Sequence, residues 1–353
     1  EVMGGIEPAR ELVSAALSAG KPVVTANKEL LANHGAELYE AAEAAGVDLL
    51  FEAAVAGAIP IMRPLRESLA GEPITRVMGI VNGTTNFILS RMADDGVSYA
   101  DALAEAQGLG YAERDPTADV EGFDAGAKAA IIATVAFGAR VVAGDVYHEG
   151  ISGITVADIE FAADLQHCIK LLAVVEQTRA SDGGLQIGVR VHPTLVPLDH
   201  PLASVRGSFN AVFVEGGASG DLMFYGRGAG GRPTASAVLG DLIDAAGNLR
   251  RGHGAPIGAL ERARIAPIDD VTSAFYLNVE VDDRPGVLAQ VATVFGENGV
   301  SIRSMEQEGL GGEARLVFIT HAAKERDLRS TLQGLRSLDA VRAVGSVLRV
   351  IGD

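Results

Sequence analysis

The pattern of apolar runs, turn residues and charges predicts an α/β protein built from three unequal parts. Three observations carry this. Residues 7–52 alternate helical and strand periodicity, residues 60–246 mix long helical stretches with β-branched runs, and residues 274–351 give a compact strand–helix–strand–strand–helix–strand order.

Residues 7–19 (EPARELVSAALSA) have helical spacing, with Pro8 suited to a first turn and Gly20 to the stop. Val23 and Val24 make a short buried strand that runs into Thr25-Ala26-Asn27-Lys28. Residues 29–45 are helical and stop at Gly46, and residues 47–52 (VDLLFE) are a strand. This is the rhythm of a parallel sheet with crossover helices. Small residues follow from Ala53 to Pro60, then a helical 60–70 and a strand 73–81 leading into Asn82-Gly83-Thr84-Thr85-Asn86. Helices are expected over 86–95, 98–107 and 122–138, with a long one over 156–176. Strands near 185–196, 209–215 and 222–225 precede a helix from Pro233 to Ala246. Residues 247–272, rich in Gly, Arg and Pro, read as a linker. Beyond it come strand 274–281, helix 286–297, strands 300–308 and 314–320, helix 324–336 and strand 340–351, the βαββαβ order of a ferredoxin-like domain.

Composition narrows the function. The 353 residues carry 29 Lys and Arg against 46 Asp and Glu, a net charge of −17. Such a surface repels nucleic-acid phosphates, so no nucleic-acid partner is expected. Hydrophobic residues make up 48%, enough for sizeable cores, and charged residues 21%, too few for a disordered chain. The single cysteine, Cys168, cannot form an intrachain disulfide and fits a reducing cytosol, so a cytoplasmic protein is expected. No charge-free apolar window reaches membrane-spanning length. The N-terminal EVMGGIEPAR has neither a basic start nor an apolar signal core, and reads as a chain entered partway through a domain.

The sharpest chemical clue lies in residues 122–138 (GFDAGAKAAIIATVAFG). Asp124 and Lys128 are four apart and share one face of an otherwise apolar helix. An ordinary surface ion pair is the bland alternative. The helix is too apolar for a wide solvated face, and the loop before it is crowded with Tyr111, Glu113, Arg114, Asp115, Asp119 and Glu121. A lysine held beside a carboxylate in a partly dry pocket can donate or accept a proton. Lys28, just after a strand, can reach a cofactor phosphate or substrate carboxylate, or simply be exposed at a helix start. The run Glu52-Ala-Ala-Val55-Ala-Gly57-Ala-Ile59-Pro60 can aim several carbonyls at a hard cation, although a tight turn explains it equally well. Gly226, Gly228 and Gly231 match GxGxxG but stand before a helix that leads into the linker, so they do not read as the dinucleotide fingerprint. Asp282-Asp283-Arg284-Pro285-Gly286-Val287-Leu288 joins a strand to a helix whose free N–H groups can accept a carboxylate, or is a plain turn. His167, His192, His200 and His253 lack metal-ligand spacing, and His192 and His200, each before a proline, read as loop residues.

Together the segments VVTANK, FEAAVAGAIPI, GIVNGTTNFIL, GLGYAERDPTADVEGFDAGAK, EGISGIT, HPTLVP, NAVFVEG and YGRGAG resemble the homoserine dehydrogenase family, from Met3 through Gly231. The tail resembles an ACT domain, as in the family's longer bacterial members. The resemblance implies the end of a Rossmann-type cofactor domain over 1–58, completed by a helix over 231–247, then a catalytic, substrate and dimerisation domain over 59–230, a linker over 248–272 and an ACT regulatory domain over 273–353. The family's opening strand and glycine-rich phosphate loop do not occur in the sequence.

By resemblance, Lys128 exchanges the proton at the substrate oxygen, and Glu113, Asp124 and Lys28 bind homoserine or aspartate 4-semialdehyde. Gly4, Lys28, Gly110 and Gly230 would lie at NADP or NAD, and Glu52, Val55, Gly57 and Ile59 would hold sodium largely through carbonyl oxygens. Asp283, Gly286, Val287 and Leu288 are the candidates for binding an effector such as threonine. The resemblance also implies a role in threonine, methionine and isoleucine biosynthesis and a homodimer or homotetramer. Two rivals stand beside this reading. One is a thioester-forming aldehyde dehydrogenase, for which Cys168 is the sole thiol, expected in mid-helix. The other is a catalytically incompetent chain acting as an amino-acid-binding regulatory module.

Overall fold

The computed structural model describes residues 1–351 except Ser181, His253, Ala255, Pro256, Gly258, Ala259 and Leu310. Of the four histidines weighed as ligands, His253 therefore lies outside the described residues. The first region comprises α1 (Ala9–Ser18), β1 (Val23–Val24), α2 (Lys28–Ala45) and β2 (Leu49–Leu50). β1 and β2 pair in parallel, so α2 is a crossover helix. Asn27 starts it by accepting a hydrogen bond from the Leu30 N–H, and Gly46 ends it in the left-handed conformation.

The middle region contains β3 (Ile74–Ile80), α3 (Gly83–Asp95), α4 (Tyr99–Gly108), α5 (Thr117–Val120), α6 (Phe123–Phe137), β4 (Ala139–Arg140), β5 (Tyr147–His148), α7 (Val156–Asp164), β6 (His167–Arg179), β7 (Leu185–Pro197), β8 (Phe209–Gly216) and β9 (Gly220–Arg227). α8 (Gly231–Arg251) returns to the first region, where Val238 and Ala245 pack on Val24 and Leu50. β10 (Glu261–Arg262) pairs with β4. The last region is β11 (Thr272–Asp282), α9 (Val287–Glu297), β12 (Ile302–Gly309), β13 (Glu313–Thr320), β14 (Ala323–Lys324), α10 (Glu325–Arg336) and β15 (Val341–Val350).

Among the described residues one sheet of eleven strands joins the middle and last regions, with the main path β12-β13-β11-β15-β7-β6-β3-β8-β9. At the junction β15 lies parallel to β7, Arg349 beside Thr194 and Val350 beside Leu195. β5 occupies the same edge of β7 a few residues earlier, Tyr147 beside Arg190 and His148 beside Val191. α6 is apolar almost all round because it is enclosed between α2 and strands β6 and β7. The opposite face of the sheet buries Met78, Ile80, Leu172, Val174 and Phe213 under Leu202 and Val205. The last region has its own core around Phe275, Phe295, Phe318 and Leu335.

The α/β class and the βαββαβ tail match the sequence reading, with three local corrections. The helix expected over 156–176 is α7, ending at Asp164, followed by the long strand β6, with Gln166 turning the chain at φ 59°. A continuous apolar run is compatible with either element, and burial of β6 on both faces removes the alternation that would mark a strand. Cys168 consequently stands in a strand, and His192 lies buried in β7 rather than in a loop. α8 continues to Arg251, and the expected linker supplies β10 and a short turn at Ile268–Asp270. Among the described residues no helix is long and apolar enough to cross a membrane.

Candidate active site

The end of β3 and the starts of α2, α3 and α6 converge on one carboxylate. Asn82 caps α3 by accepting from the Thr85 N–H at 2.9 Å. The same side chain donates through Nδ2 to Asp119 Oδ1 at 2.6 Å and to Asp124 Oδ2 at 2.9 Å. Asp124 lies in the first turn of α6, where the helix's positive end favours a carboxylate. Lys128, one turn on, donates from Nζ to Asp124 Oδ2 and to the Val81 carbonyl, both at 2.7 Å. Lys28, the first residue of α2, brings its Nζ to 2.6 Å from Asp124 Oδ1, as an ion pair without aligned hydrogen-bond geometry.

Burial alone would raise the Asp124 pKa, but the two ammonium groups outweigh it and hold the carboxylate well below its usual range. Lys28 is pulled down by burial and raised more by Asp124, so its pKa ends above that of an ordinary lysine. Asp119 goes the other way. Burial raises it, and the hydrogen bond from Asn82 offsets this only in part. The Lys128 side chain is 12% exposed, so it is largely sheltered from solvent without being sealed off. An ammonium has three N–H donors, and Asp124 and Val81 engage two of them.

The loops after β2 and β9 form a second cluster of candidate residues. The Glu52 carboxylate accepts backbone N–H bonds from Ile61, Met62 and Arg63, which pins the loop 52–60. Arg63 pairs with Asp241 of α8 at 2.8 Å, and Asp241 also accepts the Glu52 N–H at 2.8 Å. Gly57, at φ 59°, abuts Gly228, and a Cβ on it would lie 2.3 Å from the Gly228 carbonyl oxygen. Only glycine permits this backbone-to-backbone contact.

Comparison with known proteins agrees over the whole chain. Family models match at residues 1–52 (homoserine dehydrogenase, NAD binding domain), 60–243 (homoserine dehydrogenase) and 275–340 (ACT domain). The chain belongs to the homoserine dehydrogenase family. The enzyme of that name from Corynebacterium glutamicum is 58% identical over 354 residues, covering 100% of this chain and 80% of the relative. That from Mycobacterium tuberculosis is 53% identical over 359 residues, covering 100% and 81%. The crystal structure of a homoserine dehydrogenase from Thiobacillus denitrificans superposes with a TM-score of 0.93 at 43% identity, over 99% of this chain and 81% of that one. A hyperthermophilic archaeal homoserine dehydrogenase mutant in complex with NADPH superposes with a TM-score of 0.60 at 35% identity, over 69% and 70%.

The structure brings Lys28, Asp124 and Lys128 together. Glu113 stays exposed in the loop before α5; its carbonyl accepts from Gln107 Nε2, and no described contact joins its side chain to Lys128. Gly4 adjoins Gly5, whose carbonyl accepts from Asn27 at the foot of α2. Gly110 closes the turn after α4, and Gly230 opens α8 without a side-chain cap. Glu52, Val55, Gly57 and Ile59 share one loop, and no described hydrogen bond ends on the carbonyl oxygens of the last three. The described residues contain no group of three or more His, Cys, Asp or Glu arranged for a metal. Asp283, Gly286, Val287 and Leu288 line one cavity of about 370 Å³. Sequence reasoning missed Asn82 and the Val81 carbonyl and left Asp119 among the loop charges. Cys168 is no activated thiol, because burial pushes its pKa up.

Proposed function

We propose that the chain interconverts homoserine and aspartate 4-semialdehyde with a nicotinamide cofactor, NADP or NAD, at the site around Lys128. The observation that carries this reading is the Lys128 ammonium, fixed by two acceptors at 2.7 Å and left with one donor. Reduction of the aldehyde puts negative charge on its oxygen, which that ammonium stabilises and then protonates. In the reverse direction the same nitrogen takes the hydroxyl proton. The nicotinamide, when bound, supplies or accepts the hydride. Asp124 and Glu113 accept from the substrate's ammonium group, and Lys28 attracts a carboxylate or a phosphate.

Gly4, Gly110, Gly230 and Lys28 would border the cofactor. The position of Lys28 just beyond the carboxyl end of β1 and the uncapped start of α8 suit an anionic dinucleotide. The carbonyls of Glu52, Val55, Gly57 and Ile59 would hold sodium, while the Glu52 carboxylate, engaged by three N–H groups, fixes the loop that carries them. The cavity at Asp283, Gly286, Val287 and Leu288 suits an amino-acid effector such as threonine, whose carboxylate would meet the first N–H groups of α9. The edge strand β9 exposes Met223 and Tyr225, a surface that a homo-oligomer would cover.

The test is Lys128→Ala. Turnover should fall by about 100- to 10,000-fold, the range for loss of a general acid–base, while cofactor affinity by fluorescence titration holds. Near-normal turnover would overturn the assignment.

A further inference from the structure

Residues 147–151 form a strap that touches both the last region and the catalytic helix. The Glu149 N–H donates to the Val191 carbonyl at 2.8 Å, and the Ile151 N–H to the Val120 carbonyl at 2.8 Å. The His148 ring rests on the bare Cα of Gly126, where a Cβ would stand 1.9 Å from Nε2. It also packs on Phe123 with centroids 5.1 Å apart. Gly150 is equally tight, since a Cβ there would lie 2.5 Å from the Val120 carbonyl oxygen. Gly126 falls midway between Asp124 and Lys128, so the strap seats the turn of α6 that carries both.

The strap is gripped from outside by one side chain. Arg349 of β15 is 5% exposed. Its two terminal nitrogens donate to the two Glu149 carboxylate oxygens at 2.9 Å each, and its Nε donates to Glu325 of α10. The guanidinium also stands over the Tyr147 ring at 5.6 Å, while the Tyr147 hydroxyl donates to Glu149 at 2.6 Å. A buried bidentate pair of this kind fixes angle as well as distance. Without the guanidinium, Glu149 and Glu325 would remain as two partly dry carboxylates with no shared cation.

We propose that Arg349, supplied by the ACT domain, is a positioning residue for the reaction: through Glu149 it clamps the strap 147–151 and thereby fixes the first turn of α6 beneath Asp124 and Lys128. This rests on the reading of those two residues as the reacting pair, and the first measurement below is independent of turnover. In the full chain, Arg349→Met should speed amide hydrogen exchange at Glu149, Ile151 and Gly126 at least tenfold, while Leu277 and Val317 in the ACT sheet keep their protection. Because displacements of about 1 Å can cost on the order of 100-fold in rate, kcat should fall about tenfold or more at an unchanged cofactor KM. Arg349→Lys, which keeps the charge but not the paired geometry, should recover part of both effects. If Arg349→Met does not fold, Glu149→Gln removes the grip from the catalytic side and is read the same way. Wild-type exchange in the strap and α6, or a rise spread equally over the ACT sheet, overturns the proposal. Loosened exchange with unchanged kcat would keep the clamp and overturn its role in the reaction.

Discussion

Gly57→Ala probes the contact that holds the loop after β2 against the loop after β9. Two penalties add. The residue sits at φ 59°, and an L side chain in that left-handed region costs about 1–2 kcal/mol. The new Cβ would also lie 2.3 Å from the Gly228 carbonyl oxygen and 2.5 Å from its carbon. Both are backbone atoms, so one loop must shift, at about 1–3 kcal/mol for overpacking. The total is about 2–5 kcal/mol. Gly46→Ala is the matched control, because Gly46 has φ 65° and nothing within 4 Å of its added Cβ. It pays the backbone penalty alone, and the smaller unfolded-state entropy of alanine affects both variants alike. Parallel urea titrations with one spectroscopic probe should therefore find Gly57→Ala less stable than Gly46→Ala by about 1–3 kcal/mol. Equal losses would mean that the two loops do not touch as described.

Two further outcomes follow from the same geometry. Burial holds the Asp119 pKa above its ordinary value, so the unfolded chain releases this proton at lower pH than the folded one, and the group's contribution to stability falls as pH rises through that window. Asp119→Asn should accordingly raise the melting midpoint at pH 7–8, by up to about 2 °C, with the gain vanishing below about pH 4, near the unfolded carboxyl pKa; thermal melts across pH that show a lower midpoint at neutrality would contradict this. Replacing sodium by choline at constant ionic strength should lower the melting midpoint, since a cation bound at 100 times its Kd contributes about 2.7 kcal/mol, and an unchanged midpoint would remove the carbonyl cage at residues 52–59.

The parts of the site legible from sequence were those encoded locally. Asp124 and Lys128 are one helical turn apart, and the apolarity of α6 made them conspicuous. Turns bearing Gly and Pro divided the last region into readable strands and helices. Asn82 was overlooked because a capping asparagine already has a structural reason to be there, and its second role needs Asp119 and Asp124 to arrive from 37 and 42 residues away. The 156–176 segment was misread for a related reason. Cys-Ile-Lys-Leu-Leu-Ala-Val-Val carries one charge, Lys170, and that lysine is buried against Asn86 and the Val205 carbonyl, so its polarity marks no solvent face. The docking of β15 on β7 has no local signal, since two residue pairs at the end of a strand are set by the packing of whole domains.

The seams between regions share one design. At each, a half-buried or buried carboxylate of one region meets a cation from a neighbour. Lys28 of the first region meets Asp124 of the middle one, Arg63 of the middle region meets Asp241 of α8, and Arg349 of the last region meets Glu149 of the middle one. Buried ion pairs add little net stability compared with apolar packing of the same volume, because desolvation cancels much of the attraction. Removing one partner is a different matter, costing about 3–5 kcal/mol where the charge left behind stays dry. Such pairs therefore penalise misalignment more than they reward association. In a chain with a net charge of −17, each of these three cations ties a carboxylate of a neighbouring region across a seam and so adds a directional contact to the apolar packing there. Two of the three, Lys28 and Arg349, act on α6, one directly through Asp124 and the other through the strap beneath it. The helix that carries Lys128 is thus aligned by charges from the cofactor side and the regulatory side together.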